Sequence, residues 1–345
     1  MLAFITGCAG TVLTDAERRF LAEADPWGLI LFKRNVAAPD DVRRLVGDFR
    51  AAIGREAPVL IDQEGGRVQR LGPPHWPAYP PGAAYGALYD RDRSAGLAAA
   101  KLGARLIAED LAELGIDVDC APVADVPIAA ADPIISDRAY GANAAKVAAL
   151  AGAFAAGLIE GGVLPVLKHI PGHGRATADS HQTLPVVTTD PAVLDATDFA
   201  AFRPLRALPM GMTAHVVFTA IDPVAPATTS ANIVRNVIRD SIGFAGLLMT
   251  DDISMGALSG SLGERTRAAL GAGCDVVLHC NGDMSEMCAV AAEAPALRGE
   301  AARRAEAALA MRRPFAPADA SSDFTAQRAE FSKLMAGGEP ATGIA

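Results

Sequence analysis

Eight short apolar runs recur along the chain, each separated from the next by a helical pattern: residues 3–7, 28–32, 59–62, 117–123, 165–169, 211–216, 246–250 and 275–278. Runs that are apolar at every position are strands covered on both faces, and strict strand–helix alternation makes such strands parallel. Eight repeats without a long break in composition predict a single α/β domain over residues 1–314, a closed (β/α)8 barrel of the TIM type rather than an open doubly wound sheet.

Local punctuation supports this register. Thr14 and Glu17 form a capping box ahead of an amphipathic run, and Pro39-Asp40-Asp41 opens another helix with acids in its first turn. The Pro- and Gly-rich stretch 71–85 reads as a long loop from strand to helix. Residues 315–345 form an Ala-, Ser- and Gly-rich C-terminal extension, predicted to carry a short helix over 326–335 and to be poorly ordered at its end. Near the start, Ile5-Thr6-Gly7-Cys8 has the look of a lipoprotein cleavage box. No Lys or Arg precedes the Cys and the apolar stretch is too short for a secretory signal, so a first buried strand is expected there.

A chain of 345 residues with 51% hydrophobic content buries a large core. Its net charge of -9, from 31 basic and 40 acidic residues without long runs of one sign, excludes a basic stripe for nucleic acid and a polybasic membrane patch. A small-molecule partner is expected instead. The five cysteines are scattered, with no CxxC pair, and read as buried thiols of a reducing compartment, which makes the cytoplasm the expected location.

The densest chemistry lies in Leu164-Pro-Val-Leu-Lys-His-Ile-Pro-Gly-His-Gly-Arg-Ala-Thr-Ala-Asp-Ser-His181, where an apolar strand runs into a segment holding three of the six histidines. Lys168 and His169 should stand at the strand tip, with residues 171–181 as a mobile loop above it. Other polar residues follow other strands: Asp62 and Glu64 the third, Asp125 the fourth, His215 the sixth, Asp251 and Asp252 the seventh. In a barrel these ends converge on one mouth, the face where active sites lie.

Three candidate groups stand out there. Asp251 leaves a buried strand directly into the mouth, whereas Asp252 is expected to cap the following helix. Asp179 and His181, two apart in a loop, can meet, and an Asp beside a His orients the ring and stabilises its protonated form. Arg67, Arg70 and Arg138 suit either the gripping of hydroxyls and carbonyls or ordinary ion pairs. A metal site on His169, His173 and His181 is disfavoured, because no HxH or HExxH spacing occurs and Lys168 would repel a cation. The glycines do not form GxGxxG, so no dinucleotide cofactor is expected, nor any other.

The motifs Leu31-Phe-Lys-Arg-Asn35, Ile61-Asp-Gln-Glu-Gly-Gly-Arg-Val68, Lys168-His-Ile-Pro-Gly-His-Gly174 with Asp179-Ser-His181, Met212-Thr-Ala-His-Val216 and Thr250-Asp-Asp-Ile-Ser-Met255 together resemble the family 3 glycoside hydrolases. Within that family the likeness is to the single-domain bacterial β-N-acetylhexosaminidases of peptidoglycan recycling, and it covers residues 3–296. The resemblance implies that Asp251 is the nucleophile of a covalent glycosyl-enzyme and that His181, paired with Asp179, is the acid/base. It further implies that Asp62, Arg70, Arg138, Lys168 and His169 hold an N-acetylglucosamine ring. The family commonly has Asp where Arg175 stands, Gly at Ser136 and Ser at Thr250; the first change alters the charge of the loop.

The implied activity is exo-acting, retaining and metal-free. It would release N-acetylglucosamine from N-acetylglucosaminyl-1,6-anhydro-N-acetylmuramyl peptides, in cell-wall biogenesis and through it cell shape, cell cycle and division. A retaining glycosidase needs a carboxylate at the anomeric carbon and a proton donor toward the leaving oxygen. An imidazole, titrating near neutrality, serves as acid and then as base. A neutral base also admits phosphate as the acceptor in place of water. Two rivals are a metal-dependent barrel hydrolase and a non-catalytic sugar-binding barrel; in the second, Asp251 has no task.

Overall fold

The apolar runs pair in chain order. The computed structural model describes residues 1–312 and 324–337, and in it eight parallel strands form the barrel: β1 (Leu2–Thr6), β2 (Pro26–Leu31), β3 (Val59–Ile61), β4 (Val118–Asp119), β5 (Leu164–Ile170), β6 (Met210–Thr213), β7 (Leu247–Asp252) and β8 (Val276–His279). Each is hydrogen-bonded to its sequence neighbours, and β8 closes the ring against β1. The period of two sets which side chains fill the barrel. Ile5, Ile30, Leu60, Val166, Met212, Met249 and Leu278 pack inward on one another. Leu29, Leu31, Val59, Ile61, Leu167 and Leu248 point outward into the layer beneath the helices.

The helices begin where their caps dictate. Thr14 and Glu17 exchange capping hydrogen bonds ahead of helix Asp15–Ala24, and Pro39 opens helix Pro39–Ile53. Further round, Asp92, Asn143, Ser261 and Asp283 each accept backbone N–H groups at a helix start. The expected long loop is shorter than 71–85, because helix Gly82–Arg91 already starts within it. Ahead of it, Gln63–Gly65 pairs antiparallel with Val68–Gln69, a small hairpin that carries Asp62 and Arg70 at its two ends.

Two strands differ from expectation. The fourth, expected over 117–123, keeps its ladder only at Val118–Asp119, with one further bridge from Val123 to Lys168. The sixth stops at Thr213, so His215 lies beyond it. In the extension, helix Phe324–Met335 spans the expected 326–335 and docks on helix Arg93–Ala112: Arg328 donates to Asp110 at 2.8 Å, and Phe331 lies against Gly103, where a Cβ would meet its ring at 2.8 Å. The expected disorder at the chain's end falls outside the described residues. Among the described residues no helix is long and apolar enough to cross a membrane.

Candidate active site

At the C-terminal ends of the strands lies a cavity of about 410 Å³. Asp62, Arg70, Arg138, Lys168, His169, His181 and Asp251 all line it; Asp179 stands behind His181 and reaches the cavity through that ring.

The floor is a chain of alternating charges. The Arg70 guanidinium donates to Asp62 Oδ2 at 2.8 Å, and Lys168 Nζ donates to Asp62 Oδ1 at 2.9 Å. Lys168 also pairs with Glu64 Oε1 at 2.7 Å, and Arg138 grips both Glu64 oxygens at 2.8 and 2.9 Å. Burial pushes both carboxyls up, but the cations outweigh it: Lys168 and Arg70 hold Asp62 far below its usual range, and Arg138 and Lys168 hold Glu64 at about 2. Lys168 is raised by the same carboxylates against its own burial. Every member therefore stays charged, in a low-dielectric floor that fixes hydrogen-bond donors and acceptors in place.

In the sequence Glu64 stands out only as one of the polar residues at the third strand's end. Its position two residues beyond Asp62 in an extended segment was the available signal, since that spacing puts both on one side. Arg67, by contrast, is an ion-pair residue, donating to Asp137 at 2.8 Å and to three neighbouring carbonyls.

The histidines divide by setting. His169 Nδ1 lies 2.7 Å from Asp125 Oδ2, while Asp125 Oδ1 accepts the His173 backbone N–H at 2.6 Å. Burial raises Asp125 but the neighbouring imidazoles outweigh it, so the carboxylate is ionised and accepts the hydrogen bond from His169 Nδ1–H. His173 packs against the His169 ring, with Nε2 3.1 Å from Ser180 Oγ. Burial and the neighbouring His169 imidazole lower it to about 4, which leaves the ring neutral. No group of three His, Cys, Asp or Glu among the described residues is arranged to hold a metal.

Asp251 ends β7. Burial raises its carboxyl, yet the neighbouring His169 and His215 imidazoles and the Asp252 N–H at 2.8 Å outweigh that, and the group is held below its usual range. The strand is locked just before it, because Thr250 Oγ1 accepts the Leu278 N–H at 2.9 Å. His215 fixes the next carbonyl, with Nε2 3.0 Å from Asp252 O and Nδ1 2.7 Å from Thr228 Oγ1. Asp252 is not a helix cap: its carboxylate accepts Ser254 and Cys280 N–H groups, whereas helix Leu262–Ala272 starts ten residues later at its own Ser261 cap. The turn after β7 needs its own acceptor before any helix begins.

His181 rides on the loop after β5, its side chain 62% exposed, with Nδ1 2.8 Å from Asp179 Oδ1. The loop tip is fastened to the segment that follows Asp251, since the Ser180 and His181 carbonyls accept the Ala257 and Gly256 N–H groups. A Cβ on Gly256 would stand 2.8 Å from Gln182 O, so only glycine allows that approach. At the loop's foot Arg175 donates to buried Asp198 at 2.6 Å and to Thr197 Oγ1 at 3.0 Å. Ser136 sits at φ +38°, a left-handed conformation that glycine adopts more readily than serine.

A barrel whose mouth gathers an ionised carboxylate, an oriented imidazole and a rigid polar floor is built as a hydrolase of small polar molecules. The model of the glycosyl hydrolase family 3 N-terminal domain matches residues 9–310, and the chain belongs to that family. It is 40% identical over 283 residues to a beta-hexosaminidase of Alkalilimnicola ehrlichii, covering 80% of this chain and 79% of that one. A beta-hexosaminidase of Thioalkalivibrio sulfidiphilus is 38% identical over 276 residues, covering 79% and 78%. Among solved structures, NagZ from Neisseria gonorrhoeae in complex with N-trifluoroacetyl-D-glucosamine superposes with a TM-score of 0.86 at 30% identity, over 96% of this chain and 98% of that one. The protein is thus a glycoside hydrolase of the β-hexosaminidase group, on the expected barrel.

Proposed function

We propose that this protein is an exo-acting, retaining β-N-acetylglucosaminidase that removes terminal N-acetylglucosamine from peptidoglycan-derived muropeptides in cell-wall recycling in the cytoplasm. One observation carries the reading: an ionised Asp251 and a His181 oriented by Asp179 line the same small cavity. At about 410 Å³ the cavity falls low in the ~300–1,000 Å³ range of small-molecule pockets, which suits one terminal sugar rather than an internal stretch of chain.

In the first step the Asp251 carboxylate attacks the anomeric carbon as the bond to the leaving oxygen breaks, and the His181 Nε2 proton passes to that oxygen. In the second, water attacks the glycosyl ester, His181 takes its proton, and Asp251 is released. Asp179 supports the imidazolium: it is held below its usual range, its two hydrogen bonds from His181 outweighing partial burial. Asp62, Arg70, Arg138, Lys168 and His169 hold the ring hydroxyls and the acetamido group through the charged floor, and Glu64 joins Lys168 to Arg138.

The test is to trap the enzyme with a slowly turned-over fluorinated N-acetylglucosaminyl donor and locate the sugar by peptide mass. Label on Asp251 is expected; label elsewhere, or none while turnover continues, rejects the nucleophile. Activity lost to EDTA and restored by added metal would favour a metal-dependent hydrolase instead.

A further inference from the structure

The cations of the cavity floor are neutralised, but the rim carries one that has no acidic partner among the described residues. Arg138, Lys168 and Arg70 each have a carboxylate partner in Glu64 or Asp62, and Arg67 has Asp137. Arg34, an exposed residue of the same cavity, has no carboxylate within ion-pair distance among the described residues. Asp252, an acid of the same cavity, gives its oxygens to Ser254 and to the Cys280 N–H.

Arg34 is nevertheless held rigidly. It belongs to a single helical turn, Lys33–Asn35, fastened from below by Asn35, whose Nδ2 donates to the Cys8 and Gly10 carbonyls while its Oδ1 accepts the Phe32 N–H. Arg34 Nε donates to Cys8 O at 3.0 Å, and Nη2 donates to Cys280 O. Its guanidinium lies 5.0 Å from the Phe32 ring centroid, and that of Arg70 lies 5.1 Å from the same centroid. Two of the five guanidinium N–H groups are used; the other three have no partner among the described residues.

A second hollow of about 360 Å³ shares Arg70 with the first and lies beside it. It is lined by Lys33, Gln69, Arg70 and His75 among others, and by no Asp or Glu. Lys33 is exposed and likewise has no acidic partner among the described residues. In a molecule of net charge -9, two adjacent uncompensated cations facing a cavity and its side hollow are a site of charge selection.

We propose that the Lys33–Arg34 turn is an outer subsite that binds a carboxylate on the aglycone. The inference rests on the exo reading above: the terminal sugar fills the buried floor, so the leaving portion passes the rim where Arg34 stands. A preordered planar fork suits a carboxylate because little side-chain freedom remains to be lost on binding. The carboxylate could be the lactyl group of an adjoining muramic acid or a carboxylate of a peptide stem attached to it. Arg34 meets the first, and Lys33, in the side hollow, meets the second.

Three substrates separate these sources: N-acetylglucosaminyl-N-acetylmuramic acid, its lactyl carboxamide, and the same disaccharide bearing a tripeptide. With the wild-type protein, kcat/KM for a carboxylated substrate should exceed that for the carboxamide, and added salt should erode the difference. In Arg34→Gln the preference for the free lactyl acid over the carboxamide should fall about tenfold, chiefly through KM. Arg34→Lys should keep part of it, and Lys33→Gln should lower the preference for the tripeptide alone. Equal selectivity in the wild type, at all salt concentrations and in all variants, overturns the subsite. Should no disaccharide be cleaved while an aryl β-N-acetylglucosaminide is, the muropeptide reading fails instead. The subsite is then tested with a carboxylated aryl aglycone against its amide, where equal rates overturn it.

Discussion

Oδ1 of Asp179 accepts two hydrogen bonds from His181, one from its backbone N–H at 2.9 Å and one from the ring Nδ1 at 2.8 Å. A single carboxylate oxygen thus sets both the place of the residue and the tilt of its ring, and it leaves Nε2 as the nitrogen free for proton transfer. His181→Ala should cripple substrates with poor leaving groups while largely sparing glycosylation by an activated aryl donor, whose departure needs little proton assistance. Its glycosyl-enzyme should turn over slowly, and azide, which needs no base, should rescue that step. Asp179→Ala should show a weaker version. Equal damage to good and poor leaving groups without azide rescue would remove His181 from the chemistry.

Asp251→Asn should fold normally and lose about 10³-fold or more in turnover, the scale of removing a covalent nucleophile. Asp252→Asn weakens the anchors to Ser254 and Cys280, so it should cost about 1–2 kcal/mol of stability and lower turnover far less. Paired kinetics and urea unfolding on the two variants check this. A reversed ranking would place the nucleophile at Asp252.

Arg175 ties the loop's foot to Asp198, whose side chain is 2% exposed. Breaking a buried pair leaves an uncompensated charge, so Arg175→Ala should cost about 3 kcal/mol, and Arg175→Asp more because it sets two carboxylates side by side. Thermal and urea unfolding read the loss directly. An Arg175→Asp variant as stable as the wild type would show that Asp198 does not need the guanidinium.

Asp119 lies under the charged floor, where Oδ1 accepts the Gln63 N–H at 3.0 Å and Oδ2 has no partner among the described residues. Burial raises its carboxyl to about 8, against an ordinary 3.8. Between these values the unfolded chain has released a proton that the folded protein keeps. Asp119's effect therefore favours folding fully below about pH 4 and is lost progressively as pH rises to about 8. Relative to the wild type, Asp119→Asn should gain stability steadily across that window. Parallel unfolding profiles from acid to neutral pH would contradict a protonated Asp119.

Much of this protein was determined locally. Covered strands read as apolar runs because both faces are buried, and residues just past such runs stand at the mouth because a parallel barrel points all eight ends one way. That logic brought Asp62, Lys168, His169 and Asp251 together before any contact was seen. It also paired Asp179 with His181, whose meeting needs only a tight loop.

What the tertiary structure decided is who neutralises whom. Glu64 joining Lys168 to Arg138, Asp125 holding His169, Asp198 receiving Arg175 and Asp252 turning to Cys280 all link separate strands or loops. Residue type and spacing left both Arg67 and Arg70 open to ion pairing or to gripping a ligand; in the fold one pairs with Asp137 outside the floor and the other with Asp62 within it. Periodicity reports which face a residue takes, because that depends on its own few neighbours. Charge compensation depends on distances between segments far apart in the chain, and only the closed barrel sets those distances, which is why the uncompensated Arg34 becomes visible only there.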